Sequence, residues 1–224
     1  MTHKVFVVGN NYNICATFDA EKDFDVIDRL GKASIVVFPG GPDVNPSLYG
    51  MALHPRTYFQ PDRDSNFKFI HDKIAAPNVL KIGICGGGQF LHVMNGGKMY
   101  QDCDGHAGRP HHIRYVSCHN HPMDPLSRPA GVVYEVTSTH HQIMRFNPDA
   151  ELWGYSELST FRDFAHDDRN KSTEPGEGPD VEILYYRKAN SLCFQPHPEY
   201  GHYPTRELFF KCVRRILSQR TGGV

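Results

Sequence analysis

The sequence lacks an excess of charge of either sign, and it lacks a long uninterrupted apolar run. Lysine and arginine number 24 against 25 aspartates and glutamates, which gives a formal net charge of −1. Without a basic excess we expect no binding of nucleic-acid phosphates or of an anionic membrane surface. The longest uncharged run, Ile82 to Gly97, has 16 residues and contains six glycines. It is too short to span the hydrocarbon core, so no transmembrane helix is predicted.

A targeting leader and paired cysteines are also missing from the pattern. The first residues run directly into the apolar segment Val5–Val8, without a charged leader, a long apolar region and a small-residue cleavage site in order. The six cysteines include no C-x-x-C pair, which argues against a disulfide framework and against a zinc ribbon. We therefore expect a cytoplasmic protein whose cysteines are mostly small buried thiols.

Short apolar runs rich in β-branched residues recur between stretches of helical character. Val5–Val8, Ser34–Phe38 and Val79–Cys85 are almost continuous, which is typical of strands covered on both faces. The other predicted strands are Val132–Thr137, Val181–Tyr186 and Ser191–Gln195, and the predicted helices are Asp64–Ala75, Gln89–Met94 and Thr205–Ser218. The pattern predicts an α/β three-layer sandwich, with a mainly parallel central sheet and helices on both faces, in a single domain over residues 1–224.

One predicted strand ends at Cys85, and three glycines follow before an apolar helical segment that contains Gln89. Small residues around a reactive side chain are what a nucleophile elbow requires, because the tight strand-to-helix turn brings backbone atoms close together. A thiol at a helix N-terminus is also favoured in its thiolate form. Cys85 is therefore a candidate nucleophile. The alternative is a buried core cysteine in a glycine-rich turn.

The segment Phe194–Tyr200 contains a candidate base and a candidate carboxylate. Pro198 biases His197 towards an extended conformation, and side chains two residues apart in an extended chain point the same way. Glu199 can then bind one ring nitrogen of His197 and leave the other to take a proton from Cys85, as in a catalytic triad. The alternative is a surface His-Pro-Glu turn.

A glycine loop that contains Gly40 and Gly41 follows the buried strand Ser34–Phe38. This places it at the edge of an α/β sheet where ligands bind. Backbone N–H groups of the loop, together with that of Gly86, can form an oxyanion hole, and loss of one such donor costs about 10²–10³ in turnover. The alternative is an ordinary turn that ends a strand.

The order of a glycine loop, a Gly-x-Cys-x-Gly-x-Gln segment and a C-terminal His-Pro-Glu resembles the class I glutamine amidotransferase-like superfamily. Further segments are similar to its γ-glutamyl hydrolase-type branch, peptidase family C26, which includes γ-glutamyl-γ-aminobutyrate hydrolases. These further segments are Gly40–Gly50, Pro61–Asp64, Gly96–Asp102 and Ser138–Gln142. Ordered motifs that extend from about residue 34 to residue 200 are more specific together than any one alone.

This resemblance implies a catalytic triad, an oxyanion hole and a pocket for the γ-glutamyl group. The triad would be Cys85 as nucleophile, His197 as base and acid, and Glu199 as the orienting carboxylate. The oxyanion donors would be Gly41 and Gly86, and the pocket residues would be Gly40, Gln89, Ser138, Thr139, His140, His141 and Gln142. The implied reaction is attack on a γ-carboxamide, loss of ammonia or an amine, and hydrolysis of a γ-glutamyl thioester, without a metal or an organic cofactor.

Departures from the family pattern leave the identity of the leaving amine open. Gly86 stands where relatives often have arginine or leucine, and Thr137 stands where asparagine is frequent. The chain before Ser34 is compact, so we expect little room for the usual first helix between two strands. The connection from Glu157 to Pro179 is long and highly charged, which favours a solvated loop over a lid or a docking surface.

Three functions are compatible with these residues. The first is a stand-alone cysteine amidohydrolase that acts on glutamine or on γ-glutamyl amides of small amines. The second is a glutaminase component that passes ammonia to a separate ligase or synthetase, because nothing in the chain resembles an ATP-using synthetase domain. The third is a catalytically silent binding module, against which the presence of Cys85, His197 and Glu199 argues.

Histidine is abundant, with 14 residues. His106, His111, His112, His119 and His121 crowd one stretch with two aspartates and two cysteines, a composition that suggests a metal site. The spacing, however, fits no standard zinc site, in which ligands are paired at short fixed intervals. We expect a histidine-rich connecting segment beside the active site, and no metal.

Overall fold

The computed structural model describes residues 2–74, 76–116, 131–159, 162–165, 171–173 and 179–221. Over these ranges the chain forms strands β1 His3–Val7, β2 Phe24–Val26, β3 Ile35–Phe38, β4 Leu80–Ile84, β5 Met99–Tyr100, β6 Asp102–Cys103, β7 His111–Tyr115, β8 Val132–Val136, β9 Ile143–Met144, β10 Glu151–Ser156, β11 Arg162–Ala165, β12 Lys171–Thr173, β13 Asp180–Tyr186 and β14 Ser191–Phe194. The α-helices are α1 Tyr12–Asp19, α2 Pro61–Lys73, α3 Gly86–Met94 and α4 Tyr203–Thr221.

A mixed central sheet has the strand order β2-β1-β3-β4-β14-β13-β10-β7-β8. The strands from β2 to β14 in this order are parallel, and those from β14 to β8 are antiparallel. Strand β14 is thus the junction, because it pairs in parallel with β4 and antiparallel with β13. The predicted α/β fold is confirmed, and an antiparallel extension is added to its parallel half.

Helices cover both faces of the parallel half, which explains the almost continuous apolar runs of the sequence. Ile35 and Val37 of β3 pack in a core cluster that includes residues of α1 and α4. Val36 and Phe38 pack on the other face in a second cluster that includes residues of α2 and α3. Because alternate side chains of a strand point to opposite faces, a strand that is covered twice needs apolar residues at every position.

The carboxyl ends of β3, β4 and β14 lie side by side. Phe38 of β3 pairs with Gly83 of β4, and Ile84 of β4 pairs with Phe194 of β14. The three segments that follow these strands therefore leave the sheet at the same edge, which is where open α/β sheets bind ligands. This strand order brings together the glycine loop, Cys85 and the His-Pro-Glu segment.

The prediction of little room for a first helix is wrong. Helix α1 has eight residues and lies between β1 and β2. The side chain of Asn11 accepts a hydrogen bond from the Ile14 N–H (3.2 Å) and caps the helix. Ile14 and Phe18 are buried against the sheet, and this i, i+4 apolar pair is what holds so short a helix in place.

The prediction of a solvated loop between Glu157 and Pro179 is wrong for part of that connection. Strands β11 and β12 form a three-stranded sheet with β6. Arg162 and Asp163 of β11 are 6% and 7% exposed. Their charges are paired, Arg162 with Asp180 (2.5 Å) and Asp163 with His54 (3.2 Å), so charged residues here are buried. Residues 160–161, 166–170 and 174–178 lie outside the described ranges.

Within the described ranges, no helix has both the length and the apolar character that a membrane span requires. The expectation of small buried thiols is confirmed for Cys103, Cys193 and Cys212, which are free and buried, whereas the free Cys15 is partly exposed. Cys85, the candidate nucleophile, is also free and buried. Cys118 lies outside the described residues.

Candidate active site

Cys85 lies at the turn from β4 to α3 with a strained backbone, φ 49° and ψ −117°. The close approach of α3 to the strands beneath it explains the glycines. A Cβ atom on Gly83 would collide with the carbonyl oxygen of Gly87, and one on Gly87 would collide with that of Phe38. Glycine is the residue that permits such an approach. The local geometry is that of the nucleophile elbow that the sequence predicts.

His197 and Glu199 form a buried pair. The Nδ1 atom of His197 lies 2.7 Å from Oε1 of Glu199, and both side chains are only 6% exposed. The backbone of His197 is extended, with φ −106° and ψ 98°, and Pro198 begins a short 3₁₀ turn that contains Glu199. The carboxylate therefore accepts a hydrogen bond from the Nδ1–H group, and this leaves Nε2 for another partner.

The thiol of Cys85 lies beside the same ring. Burial by itself would lower the pKa of His197, but hydrogen bonds to Cys85 and Glu199 and the charges of both groups raise the pKa to about 10. The raised pKa favours the protonated form of the His197 ring. The exposed ring of Tyr200 stacks on the His197 ring with centroids 4.2 Å apart.

The glycine loop closes against these side chains. A Cβ atom on Gly40 would lie 2.8 Å from Cε1 of His197 and 3.4 Å from Cβ of Cys85, so only glycine leaves room for the ring. Gly41 has φ +142°, a conformation that favours glycine. Gly86 is the first residue of α3, where a backbone N–H has no partner within the helix. Gly86 also lies next to the Gly41 backbone, and a role of Gly41 and Gly86 as oxyanion donors stays a prediction.

Arg63 is a site residue to which the sequence analysis gives no role. Its side chain is 11% exposed, donates to the carbonyl oxygen of Pro39 (3.3 Å) and lies over the ring of Phe67. Burial lowers the pKa of Arg63, whereas the negative charges of Asp64 and Cys85 oppose that effect. The available signal is the Arg-Asp pair at the start of a helix, which the resemblance singles out without a function.

Gln195 is the second site residue that the sequence analysis misses, because it reads as the last residue of a strand. It is fully buried, and its Nε2 lies 3.6 Å from the sulfur of Cys85. Its Oε1 accepts a hydrogen bond from Nε2 of Gln89 (3.3 Å), which also donates to the carbonyl oxygen of Gln142 (3.1 Å). A chain of amides therefore connects the thiol to the segment 138–142.

Residues 138–142 do not all face the thiol. His141 lies opposite the glycine loop, with Nε2 3.3 Å from Oδ2 of Asp43, and its hydrogen bond to Asp43 raises the pKa of His141. The Gln142 side chain donates to Thr57 and to the carbonyl oxygen of Gln101, so only its backbone meets Gln89. Thr139 is exposed and pairs with Ala107.

Ser138 and His140 turn away from the thiol into a buried polar cluster. Ser138 donates to the carbonyl oxygen of His106, and the His140 ring packs 4.6 Å from that of His106. His111 also reaches this cluster, whereas His112 is exposed. The predicted histidine-rich stretch is therefore split between the interior and the surface, and His119 and His121 lie outside the described residues.

A protein-family model for Peptidase C26 matches residues 11–153. The chain belongs to the Peptidase C26 family. The match includes Cys85 and the segment 138–142, and it ends before His197. Among curated relatives, a glutamine amidotransferase-like protein, the YvdE homolog of Lactococcus lactis subsp. cremoris, is 32% identical over 134 residues, which cover 56% of this C26 chain and 71% of that protein. YvdE of Lactococcus lactis subsp. lactis is 31% identical over 134 residues, which cover 56% of either chain.

Solved structures share the fold of this C26 chain at low identity. A protein from Thermoplasma acidophilum, described as one subunit of GMP synthase, gives a TM-score of 0.61 at 16% identity, covering 99% of this chain and 97% of that one. A glutamine amidotransferase from Thermotoga maritima gives 0.55 at 15% identity, covering 99% and 86%. PurLQS from Thermotoga maritima gives 0.51 at 17% identity, covering 96% and 100%. The family model and the curated relatives, together with this shared fold, confirm the predicted class I glutamine amidotransferase-like superfamily.

Proposed function

We propose that this chain is a cysteine amidohydrolase that cleaves the γ-amide of glutamine or of a γ-glutamyl amine through a γ-glutamyl thioester. The observation that carries the proposal is the contact of the Cys85 thiol with the His197 ring, which is itself held by Glu199. A nucleophile, a base and an orienting carboxylate in this order are what acyl transfer by a thiol requires.

In the first half of the reaction, the Cys85 sulfur attacks the γ-carbonyl carbon and a carbon–sulfur bond forms. The carbonyl electrons move to oxygen, where the N–H groups of Gly41 and Gly86 would stabilise the negative charge. The cationic ring of His197 then donates its Nε2 proton to the leaving nitrogen. The carbon–nitrogen bond breaks, ammonia or an amine departs, and the γ-glutamyl thioester remains.

In the second half, neutral His197 takes a proton from a water molecule, whose oxygen attacks the thioester carbon. A carbon–oxygen bond forms and the carbon–sulfur bond breaks. The γ-glutamyl group leaves as a free carboxylic acid, and the thiolate and imidazolium are restored. Glu199 remains a carboxylate throughout and keeps the ring of His197 in the orientation that both steps use.

The surroundings of the thiol suit a substrate that carries an amide and charged groups. Gln195 has its amide group beside the sulfur of Cys85 and is bound in turn by Gln89, and the partly exposed ring of His141 lies at the glycine loop. Arg63 adds positive charge next to Gly41 and Gly86. Amide groups and charged groups therefore surround the position that a γ-glutamyl group would occupy.

A second candidate is a glutaminase component that passes its ammonia to a separate ligase or synthetase. The observation that favours it is the fold shared with PurLQS and with a protein described as part of GMP synthase. On this alternative the same cysteine chemistry operates, but hydrolysis depends on a partner protein, and glutamine rather than a substituted γ-glutamyl amine is the substrate.

Turnover measurements on the purified chain separate these candidates. The chain is incubated with glutamine and with a panel of γ-glutamyl amines, and the released ammonia or amine is measured. Rapid release without a partner supports the amidohydrolase. Release of ammonia only after a ligase or synthetase is added supports the second candidate. The absence of turnover in both settings, with no labelling of Cys85 by an electrophilic glutamine analogue, would contradict both.

A matched pair of cysteine variants tests the nucleophile. We expect Cys85→Ala to lower turnover by more than about 10⁴-fold, because removal of a triad nucleophile leaves only binding and oxyanion stabilisation. Cys15→Ala, which removes another free thiol that is partly exposed, should keep full activity and full labelling. Mass spectrometry of the labelled peptides and circular dichroism of both variants complete the test. Retained activity in Cys85→Ala refutes the assignment.

A further inference from the structure

Three side chains from separate parts of the sequence converge in the interior on the antiparallel half of the sheet. His106 follows β6, His140 lies between β8 and β9, and Glu182 belongs to β13. They are 0%, 4% and 0% exposed, respectively. One ring nitrogen of each histidine and one carboxylate oxygen lie within 4.8 Å of one another. None of these groups takes part in the chemistry proposed for Cys85.

Neighbouring groups determine which ring nitrogens face Glu182. Nε2 of His106 lies 2.8 Å from Oδ2 of Asp180, so its N–H donates a hydrogen bond to that carboxylate. Nδ1 of His140 lies 3.0 Å from the carbonyl oxygen of Gln142, so it donates there. In a neutral ring, the remaining nitrogen carries a lone pair. For both histidines this nitrogen faces Glu182: Nδ1 of His106 lies 3.1 Å from Oε1, and Nε2 of His140 lies 3.6 Å from Oε2.

Between His140 and Glu182, two acceptors then face each other, and no donor of the described residues lies between them. Nε2 of His140 and Oε2 of Glu182 are buried and have no hydrogen-bond partner among the residues that the structure describes. A proton added to His106 would satisfy one contact, but the contact of His140 would need a second buried imidazolium, which is costly to desolvate. Exchanging the tautomer of His140 gives no relief, because its Nδ1 lone pair would then face the Gln142 carbonyl oxygen. A cation between the three groups satisfies all of them at once.

The surroundings supply the partners that orient metal ligands. Asp180 holds the ring of His106, and it is itself paired with Arg162 at 2.5 Å. His111 and Ser156 both reach Oε1 of Glu182, at 2.9 Å and 3.2 Å, which leaves Oε2 free. Carboxylate and carbonyl partners on the far side of ligating histidines, and hydrogen bonds to a ligating carboxylate, are the usual support of a protein metal site.

We propose that His106, His140 and Glu182 bind a divalent transition-metal ion of the zinc type. Two imidazoles and one carboxylate suit zinc, whereas calcium and magnesium take oxygen ligands. A tetrahedral ion with bonds of about 2.0–2.1 Å holds its ligand atoms about 3.3 Å apart. Nδ1 of His106 lies 3.1 Å from Oε1 of Glu182 and Nε2 of His140 lies 3.6 Å from Oε2, and the three ligand atoms lie within 4.8 Å of one another, so small shifts of the side chains bring them to that spacing. The ligands lie far apart in the sequence, so the short-interval rule that argued against a metal does not apply to them.

The ion would connect the buried cluster of His106, His140 and Glu182 to α3, the helix that follows the candidate nucleophile. The carbonyl oxygen of Gln142 accepts hydrogen bonds from both His140 and Gln89, and Gln89 belongs to α3. Ser138 binds the backbone of His106 in the same region. A metal ion at this cluster would fix the segment 138–142 on the sheet, and it would act on the candidate active site through position rather than through contact with substrate.

Metal binding is tested on the full chain without an affinity tag. The protein is treated with a chelator, desalted and titrated with Zn²⁺ by calorimetry, and zinc content is measured by elemental analysis after gel filtration. We expect about one zinc ion per chain and a higher Tm with zinc. Titration with Co²⁺ should give the intense visible absorption of a tetrahedral site. Failure of the wild-type chain to retain stoichiometric zinc, or a Co²⁺ spectrum unchanged from that of the aqueous ion, overturns the proposal.

Matched variants locate the site. Glu182→Gln keeps the size of the side chain, and we expect it and His140→Ala to weaken zinc binding by more than about 100-fold, beyond what loss of an outer partner costs. His112→Ala, an exposed histidine of β7 next to His111, should bind zinc like the wild type. Equal binding by the wild type, Glu182→Gln and His140→Ala overturns the assignment, and circular dichroism verifies that the variants are folded. Cys85→Ala should also bind zinc normally. The zinc measurements therefore test the metal site separately from the proposed function.

Discussion

The hydroxyl of Thr137 binds the backbone of His197 twice. It donates to the carbonyl oxygen of His197 at 3.0 Å and accepts from its N–H at 2.9 Å. The N–H of Thr137 donates in turn to the hydroxyl of Thr205 in α4 at 3.0 Å. One side chain thus fixes both backbone groups of the candidate base.

Thr137→Val removes both hydrogen bonds and leaves the shape of the side chain almost unchanged. We expect the free energy of unfolding to fall by about 1–3 kcal/mol, because two backbone groups lose their partner, and turnover to fall because the His197 ring loses its fixed position. Thr137→Ser keeps the hydroxyl and should recover most of both. Urea unfolding and amide turnover measure the two effects, and wild-type behaviour of Thr137→Val would disprove the role.

Glu199→Gln and His197→Ala should differ in severity. Glutamine can still occupy the space beside Nδ1 of His197 but cannot stabilise the cationic ring, whereas alanine removes the proton carrier altogether. By the scale of serine hydrolase triads we expect losses in turnover of about 10⁴-fold and about 10⁶-fold, respectively. Steady-state rates with one γ-glutamyl substrate decide the order. A larger loss in Glu199→Gln than in His197→Ala would contradict the assignment of roles.

The raised pKa of His197 makes the contribution of Glu199 to stability depend on pH. The pKa in the folded chain is about 10 against an ordinary value of 6.5, so the folded state keeps a proton that the unfolded state releases. That stabilisation is complete below pH 6.5 and is lost as the pH rises through about 10. We therefore expect the difference in unfolding free energy between the wild type and Glu199→Gln to shrink over this range. Urea titrations at several pH values measure it, and a difference that grows with pH contradicts the prediction.

Gly40→Ala should impair catalysis more than stability. The added methyl group would lie 2.8 Å from Cε1 of His197, so the ring must move away from Cys85. Misplacement of a catalytic group by about 1 Å can cost about 10²-fold, and we expect a loss of about that size in turnover. Gly31→Ala is the matched control, since no heavy atom lies within 4 Å of its added Cβ. Equal turnover in the two variants would show that Gly40 is not required for the ring.

The features that the sequence predicts well are those that depend on neighbouring residues of the chain. The apolar residues of β3 show a strand covered on both faces, and the glycines after Cys85 show a tight turn into a helix. The extended backbone of His197 before Pro198 is also as predicted, but Glu199 lies in the 3₁₀ turn that Pro198 begins, so this turn, and not an extended chain, brings its carboxylate to Nδ1 of His197. The inferences that hold need only neighbouring residues.

Contacts between distant segments account for what the sequence does not predict. Gln195 meets Cys85 only because β14 lies next to β4, and no local pattern gives that strand order. Arg162 is charged and reads as solvated, but it is buried because Asp180 pairs with it. Helix α1 escapes prediction because its burial depends on packing against α4 and the sheet. The cluster of His106, His140 and Glu182 is likewise produced by the fold and not by spacing.

The junction between the parallel and antiparallel halves of the sheet has a consequence for measurement. The N–H of Gln195 donates to the carbonyl oxygen of Glu182 at 2.9 Å, and these two residues belong to the thiol site and to the histidine cluster, respectively. This single peptide hydrogen exchanges with heavy water only when the pairing of β14 with β13 opens. Its exchange rate therefore reports the integrity of both sites at once.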